Sequence, residues 1–327
     1  MEKPAAEYRL DVRDRRLLRE LDMDARLPYS ELARRIGTSK QGAEYKLKAL
    51  LREGVVRGFY PVVNVPRLGY LYCRLLVTLQ DVSARQTEAI VEDLKKNPDV
   101  FWLFTMDGGF DLLVVFWAKS VSDFQRMTAA FLERHGRHVK RKVETVTTDV
   151  VHLPHRYLME EGPQEPVSIS ETEERTRIDG LDRKILGVLA SDARIPIVQL
   201  ASAVGSTPKT VAYRIRRMEA EKLILCYRPI IDHGRLGLTY YKLFANLNSY
   251  SQESTSAIKA WIRRNPLVIY TVEGSGLPAD LDIELMVKSN EELFDFVRQL
   301  RYKFPRVIGD YSTVVFKENR KVRYLPF

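Results

Sequence analysis

Two cysteines, five histidines and no unbroken run of eighteen apolar residues are the first features of this 327-residue chain. Cys73 and Cys226 fall at non-equivalent places in the internal repeat described below, so no disulfide framework is expected and both should pack as small hydrophobes. The histidine pairs His135-x-x-His138 and His152-x-x-His155 lack a cysteine or carboxylate at a spacing that would complete a metal site; solvated basic loops are the expectation for both. Without a long apolar run or an N-terminal signal pattern, no membrane partner and a cytoplasmic location are expected. No P-loop, dinucleotide fingerprint or nucleophile motif is present, so the reading carries no cofactor and no catalytic residue.

The chain does have charge, unevenly placed. Apolar residues make up 45% and charged residues 29%, which suits a globular chain with room for two to four domains. The formal net charge is +9. Residues 8–60 hold 13 Lys/Arg against 8 Asp/Glu, and residues 178–228 hold 9 against 5; the rest carries acids and bases in equal number. Segregation of this kind is what a phosphate-binding surface needs and what solubility alone does not.

Residues 191–224 (SDARIPIVQLASAVGSTPKTVAYRIRRMEAEKLI) hold two short helical patterns broken at Gly205-Ser206. Thr207 offers a hydroxyl to cap the second helix, and Pro208 sits where a missing N–H costs nothing. Val211, Ile215 and Met218 make one buried stripe, while Lys209, Thr210, Tyr213, Arg216 and Arg217 lie on the other side. A helical hairpin with a solvated basic face has the same pattern. A second copy removes that ambiguity: residues 23–56 align at a constant offset of 168, matching Asp24/Asp192, Arg26/Arg194, Pro28/Pro196, Leu32/Leu200, Gly37/Gly205 and Tyr45/Tyr213. In the first copy Ala43, Leu47 and Leu50 point inward, and Gln41, Tyr45, Lys48 and Arg52 share the opposite face with Lys46 on its flank. Asp11 with Asp14, and Asp179 with Asp182, form capping-box-like pairs that start the first helix of each module.

After each helical module a turn leads into a β wing (54–60 in the first copy), then a βαββαβ order: strands at 72–80, 100–105, 111–118 and 143–151, helices at 87–96 and 120–134. The second copy repeats it, with one extra residue in the glycine turn. The run 137–142 is read as a solvated loop, and 152–177, with Gly162, Pro163 and an acidic cluster, as a linker. The fold class is therefore α+β, with two winged helix-turn-helix domains (8–60 and 178–228) alternating with two ferredoxin-like domains (70–151 and 238–318).

The phrases D-x-x-D-x-x-[IL]-L, DAR, ELA..IG.S and a Y-[KR]-[IL] helix, followed by..LG, resemble the Lrp/AsnC (feast/famine) transcription regulators, in both halves and over nearly the whole chain. The resemblance implies a tandem fusion of two units, each a DNA-binding module with a ligand-sensing and oligomerising RAM domain. Double-stranded DNA is the implied partner. Gln41, Tyr45 and Lys48, with Lys209, Tyr213 and Arg216, are expected at the major groove; Ser39, Lys40, Lys46, Thr207 and Arg214 are expected on phosphates, with Arg52, Thr210 and Arg217 beside them. An amino-acid-like effector is implied near the glycine turn, where Gly108-Gly109-Phe110-Asp111 matches the family pattern, with Asp107 adjacent. A tight β-turn with Asp111 bonded to it explains the same residues. The second turn, with Gly274, Gly276 and Asp280, departs from the pattern by its length and its proline.

One chain is expected to supply both partners of an intrachain pseudo-dimer, with further pairing into a homo-oligomer left open. The alternative function is an enzyme like the siroheme decarboxylases, which share this fold and use the RAM cavity. Such an enzyme needs proton donors and cations in that cavity, whereas the strands at 72–80, 100–118 and 267–287 hold no histidine and little cationic charge beyond Arg74 and Lys119. That argues for a regulator and against an enzyme.

Overall fold

The computed structural model describes residues 7–159 and 165–327, so Gly162 and Pro163 of the expected linker lie outside the described residues. The first unit runs α1 (Val12–Leu21), α2 (Tyr29–Ile36), α3 (Lys40–Arg52), β1 (Val56–Val63), β2 (Leu71–Leu79), α4 (Ala84–Lys96), β3 (Val100–Gly108), β4 (Leu112–Ala118), α5 (Val121–His135) and β5 (Val139–His152). A short strand β6 (Val167–Ser170) follows. The second unit runs α6 (Gly180–Ser191), α7 (Ile197–Val204), α8 (Pro208–Ala220), β7 (Ile224–Ile231), β8 (Thr239–Leu247), α9 (Gln252–Arg264), β9 (Val268–Ser275), β10 (Leu281–Val287), α10 (Asn290–Lys303) and β11 (Ile308–Val322).

Local chemistry sets the helix boundaries. Asp11 accepts the Asp14 N–H at 2.7 Å and Asp14 accepts the Asp11 N–H at 3.1 Å, so two orphan donors at the start of α1 are satisfied reciprocally. Asp179 and Asp182 repeat this at α6, at 2.9 and 3.0 Å. α2 and α7 both stop at a left-handed glycine, Gly37 and Gly205, each with φ of 69°. There the absent Cβ allows the turn between the two helices.

The two βαββαβ sheets do not stand apart. Their strands run in the order β2-β4-β3-β11-β8-β10-β9-β5, and β2 also pairs with β5, closing the ring. The two seams, β3–β11 and β5–β9, each join one copy to the other. Each four-stranded sheet packs one face on its own two helices: Leu75, Val114 and Phe116 with Phe131 in the first copy, Leu243, Ile283 and Leu285 with Phe296 in the second. The alternate residues (Tyr72, Phe104, Trp117, Phe244 and Phe316 among them) share an interior core with the helical modules. An isolated unit would expose that face to water, and closure removes both it and the sheet edges.

At the seams the turn glycines admit the neighbouring backbone. A Cβ on Gly274 would lie 2.3 Å from the Val146 carbonyl oxygen, and one on Gly276 (φ 75°) 2.5 Å from that of Glu144. Gly274→Ala is thus expected to destabilise the chain by about 1–3 kcal/mol through overpacking against backbone that has no side-chain freedom to yield. Thermal melting checks the size, and faster amide exchange confined to β5 and β9 checks the place.

Three expectations are corrected. The β wing is a single strand, and its partner is the equivalent strand of the other copy: β1 pairs antiparallel with β7. The run 137–142 is no loop throughout, since β5 begins at Val139 and its Lys140–Lys142 stretch is exposed as part of a strand. The segment 152–177 is more than a connector, because β6 adds to the barrel at β5.

Candidate nucleic-acid interface

The β1–β7 ribbon places the helical modules. Tyr60 pairs with Arg228, and these two positions are equivalent in the repeat, so a pseudo-two-fold axis passes through that pair. Reciprocal contacts obey it. Arg26 donates to the Ala193 carbonyl and Arg194 to that of Ala25, while the Ala25 and Ala193 N–H groups bond the Tyr227 and Phe59 carbonyls at 2.8 and 3.0 Å. The two helix-turn-helix modules are therefore held in one two-fold-like arrangement.

α3 and α8 present matching outer faces. Ser39 caps α3 by accepting the Gly42 N–H at 3.0 Å; Thr207 caps α8 by accepting that of Thr210 at 3.2 Å, and the two threonine hydroxyls bond each other at 2.9 Å. Tyr45 is 68% and Tyr213 63% exposed, unusual for large aromatics that a monomer has no use for outside. Lys40, Gln41, Lys48 and Arg52 are exposed with Tyr45, as are Lys209 and Arg216 with Tyr213. Among the described residues, Lys48 and Arg52 form ion pairs with acids of their own module, Glu44 at 2.8 Å and Glu53 at 3.2 Å, both on the surface where such pairs are weak.

Three of the expected phosphate and flanking residues are turned inward. Lys46 bonds Asp11 at 2.7 Å and Asp14 at 2.8 Å, Arg214 bonds Asp179 at 2.8 Å, and Arg217 bonds Asp182 at 2.6 Å. The capping-box carboxylates that start the first helix of each module need a counter-charge, and the recognition helix supplies it. Lys46→Met is expected to lower stability by about 0.5–1 kcal/mol. Its effect on DNA affinity should be smaller than that of any exposed lysine, measured by thermal melts beside a binding titration.

The glycine turns sit at the barrel seams. Asp107, Gly108 and Gly109 are exposed; the Asp111 carboxylate accepts the Leu79 N–H at 2.6 Å. Asp280 accepts the Leu247 N–H at 2.7 Å and the Tyr250 hydroxyl at 3.1 Å. Gly108, Gly274 and Gly276 face the backbone of β11 and β5. The structure brings Asp107 to Asp111 together in one turn and Gly274 to Asp280 in another, with no contact between the two sets among the hydrogen bonds and ion pairs described here.

A profile of the AsnC-type helix-turn-helix domain matches residues 178–219, and one of a winged helix-turn-helix DNA-binding domain matches residues 10–57. The HTH-type transcriptional regulator LrpA of Pyrococcus horikoshii is 32% identical over 116 residues, 35% of this chain and 79% of its own. The chain belongs to the Lrp/AsnC family of transcription regulators. The proline dehydrogenase transcriptional activator of Rhodobacter capsulatus is 29% identical over 36% of this chain and 77% of its own. The stretches matched to these two relatives are thus little more than a third of this chain. Over the whole length, the chain is similar in fold to the siroheme decarboxylase NirDL, with a TM-score of 0.63, 14% identity, and coverage of 95% of this chain and 93% of that one.

The barrel interior corrects the expectation that it is poor in cations and histidine. Arg74 on β2 and Lys242 on β8, at equivalent positions of the repeat, are both buried. Arg74 bonds Asp282 at 2.8 Å and Thr145 at 3.1 Å; Lys242 bonds Asp282 and, at 2.7 Å, Glu284. Burial raises the cost of charging Asp282, but Lys242 and Arg74 outweigh it and hold the carboxyl below its usual range. His152 and His155 are buried too, and desolvation, with the Arg228 charge, pushes both well below the ordinary histidine value. Arg228 bonds Asp22 at 2.9 Å and the Leu153 carbonyl at 3.1 Å. A signal for the cluster existed. YCRLLVTL and YYKLFANL carry a cation at an inward position of an otherwise apolar strand, and LDIELMV alternates two acids with apolar residues.

Proposed function

We propose that this chain is a sequence-specific DNA-binding transcription regulator that reads one site with two different recognition helices. One observation carries the reading: α3 and α8 stand on either side of a pseudo-two-fold axis, each with an exposed tyrosine between polar or basic neighbours, Gln41/Tyr45/Lys48 and Lys209/Tyr213/Arg216. Because glutamine, lysine and arginine prefer different base edges, the two half-sites should differ, at a separation of about one helical turn. Selection of bound fragments from a random DNA pool tests this, together with the mass of the free protein. An asymmetric site supports it; a perfect palindrome bound by a monomeric chain overturns it. Modulation by an amino-acid-like effector at the 107–111 turn belongs to the same proposal, resting on the exposure of Asp107 and Gly109 and the lone pairs of Asp111 beyond its bond to Leu79. Calorimetry against a panel of amino acids and nucleotides that finds no binding removes that part alone. No helix among the described residues is long and apolar enough to cross a membrane.

A second reading, an enzyme on the same fold, is favoured by the buried Arg74, Lys242 and His152 of the barrel. Against it, Asp282 and Glu284 neutralise both cations within the protein, leaving no surplus positive charge there to hold a polycarboxylate. The absorbance spectrum of the purified protein mixed with siroheme discriminates the two.

A further inference from the structure

Outside the barrel, a pocket of about 570 Å³ opens between the residues that lead into α1, those that follow β5, and the second ferredoxin-like domain. That volume is in the range of small-molecule sites. Its walls are tied to one another. The Tyr8 N–H bonds the Arg235 carbonyl at 2.6 Å, and Arg156 donates to the Arg263 carbonyl at 2.9 Å. Leu10, Leu236, Leu238 and Leu267 give the pocket an apolar lining, and each is only half-buried, so each keeps surface that a ligand can cover. Leu10 and Leu236 pack on the core shared with the barrel interior, and Leu267 on the core beneath the second copy's helices. The pocket therefore spans the junction between the first helical module and the second copy.

Charge narrows the ligand. Arg9, Arg15, Arg156 and Lys288 line the pocket against the two carboxylates of Glu7 and Glu292. Glu292 already accepts the Lys288 N–H at 2.6 Å at the start of α10. The side chains of Arg9, Arg15 and Lys288 make no hydrogen bond or ion pair among the described residues. Inside the barrel the cations are matched by acids; here a positive surplus stays without an internal partner. Arg9 and Lys288 are exposed and Arg15 is half-buried, so an arriving anion reaches them without being stripped of all its water. Glu7 and Glu292 oppose a second negative charge on the same ligand, and the surplus opposes an ammonium. The repeat supplies an internal comparison for the rest of the ligand. Arg183 holds in α6 the place that Arg15 holds in α1, and its guanidinium lies over the Phe327 ring, 4.9 Å from the centroid. Phe327 is half-buried against the interior core. An apolar ring beside this arginine is thus a contact the fold already makes once.

We propose that this pocket binds a monovalent amphipathic organic acid, its aryl or alkyl body covering the four leucines and its carboxylate held among Arg9, Arg15 and Lys288. Guanidinium and ammonium donors to a carboxylate make the stronger, charge-assisted class of hydrogen bond. The site is separate from the glycine turns and does not depend on the DNA-binding reading. It draws residues from both copies, so a single unit does not contain it.

The test uses the full chain at physiological salt and the probes 6-phenylhexanoate, 6-phenyl-1-hexanol, 6-phenylhexylamine and propanoate, with binding read by calorimetry. The long carboxylate is expected to bind about tenfold or more tightly than the alcohol or the amine, which share its body but not its charge. Propanoate shares the charge but has little apolar surface to bury, and should bind more weakly by a similar factor. Arg15→Gln and Lys288→Gln should each weaken 6-phenylhexanoate about threefold or more, and the two together should erase its preference over the alcohol. Leu267→Asn should weaken the carboxylate and the alcohol alike. Arg183→Gln, at the equivalent place of the second copy, should leave binding unchanged. Neither Arg15 nor Lys288 uses its side chain to bond another described residue, so the paired variant is expected to melt like the parent without ligand. The alcohol or amine binding as tightly as the carboxylate, no binding by any of the probes, or full affinity of the paired variant overturns the proposal. The last of these would place the acid elsewhere on the chain.

Discussion

The double substitution Lys209→Glu, Arg216→Glu is expected to weaken binding to the selected DNA site by about a hundredfold to a thousandfold. Each residue is exposed on α8, about one helical turn from Tyr213, and neither side chain makes a hydrogen bond or ion pair among the described residues. Losing one base or phosphate contact costs on the order of 1–3 kcal/mol, and a carboxylate facing phosphate adds repulsion. The slope of log affinity against log salt should flatten as well, since two positive charges at the groove are replaced by carboxylates. Stability should move by less than about 0.5 kcal/mol, because neither side chain supports the fold. Fluorescence anisotropy across a salt series, beside a thermal melt, reads all three. Unchanged affinity in a folded variant would remove α8 from the interface. The reversal Lys46→Glu serves as a contrast, since Lys46 already spends its charge on Asp11 and Asp14 and its loss should appear first in the melt.

The substitution Arg228→Met is expected to have the largest effect on stability, a loss of about 3–5 kcal/mol and a fall in melting temperature of roughly 6–20 °C. Arg228 is fully buried on the pseudo-two-fold axis and ties α1, through Asp22, to the end of β5 at Leu153. Removing it leaves the buried Asp22 carboxylate facing His155, whose N–H it accepts at 2.6 Å, without its guanidinium. Burial already pushes the Asp22 carboxyl above its ordinary value despite Arg228, and without that cation it rises further. A carboxyl whose folded value is raised favours the folded state as pH falls. The same change relieves the Arg228 charge that helps to depress His152 and His155, which also favours the variant in acid. The stability gap between the variant and the parent should therefore be widest near neutral pH and narrow as pH falls from about 7 to 5. The paired change Asp22→Leu, Arg228→Met should recover much of the loss, since a buried pair replaced whole by apolar groups costs little. Melts at several pH values measure each of these.

Residues close together in the chain carried most of what could be read from it. The capping pairs Asp11/Asp14 and Asp179/Asp182, the left-handed stops at Gly37 and Gly205, and the caps at Ser39 and Thr207 are local hydrogen-bond chemistry, legible without neighbours. So were the 3.6-residue stripes of the recognition helices and the βαββαβ order, with most elements within a few residues of their expected bounds; β5 starts earlier, β3 runs further, and β11 runs six residues past the expected Phe316 to Val322. The duplication was legible too, because a constant offset needs only comparison of the chain with itself. Less legible was which charged residues face water. Lys46, Arg214 and Arg217 share a helix with Lys48 and Arg216, and periodicity places all of them away from the apolar stripe. Only the packing of the first helix against the third turns three of them onto the capping carboxylates.

By itself the sequence determined two duplicated units, their α+β elements, the excess of positive charge on both helical modules, and the different residues offered by the two recognition helices. Each follows from properties of short segments or from their repetition. The tertiary structure alone decided that β1 finds its partner in β7, that the two sheets close into one barrel, and that Arg74, Lys242, Asp282, Glu284, His152 and Arg228 meet inside it. These contacts join residues far apart in the chain, as the 208 positions between Arg74 and Asp282 illustrate. A strand's alternation says which residues share a face, but not what that face will meet. Only the closing of one copy on the other removes the water that would otherwise have made each of those charges an ordinary surface group.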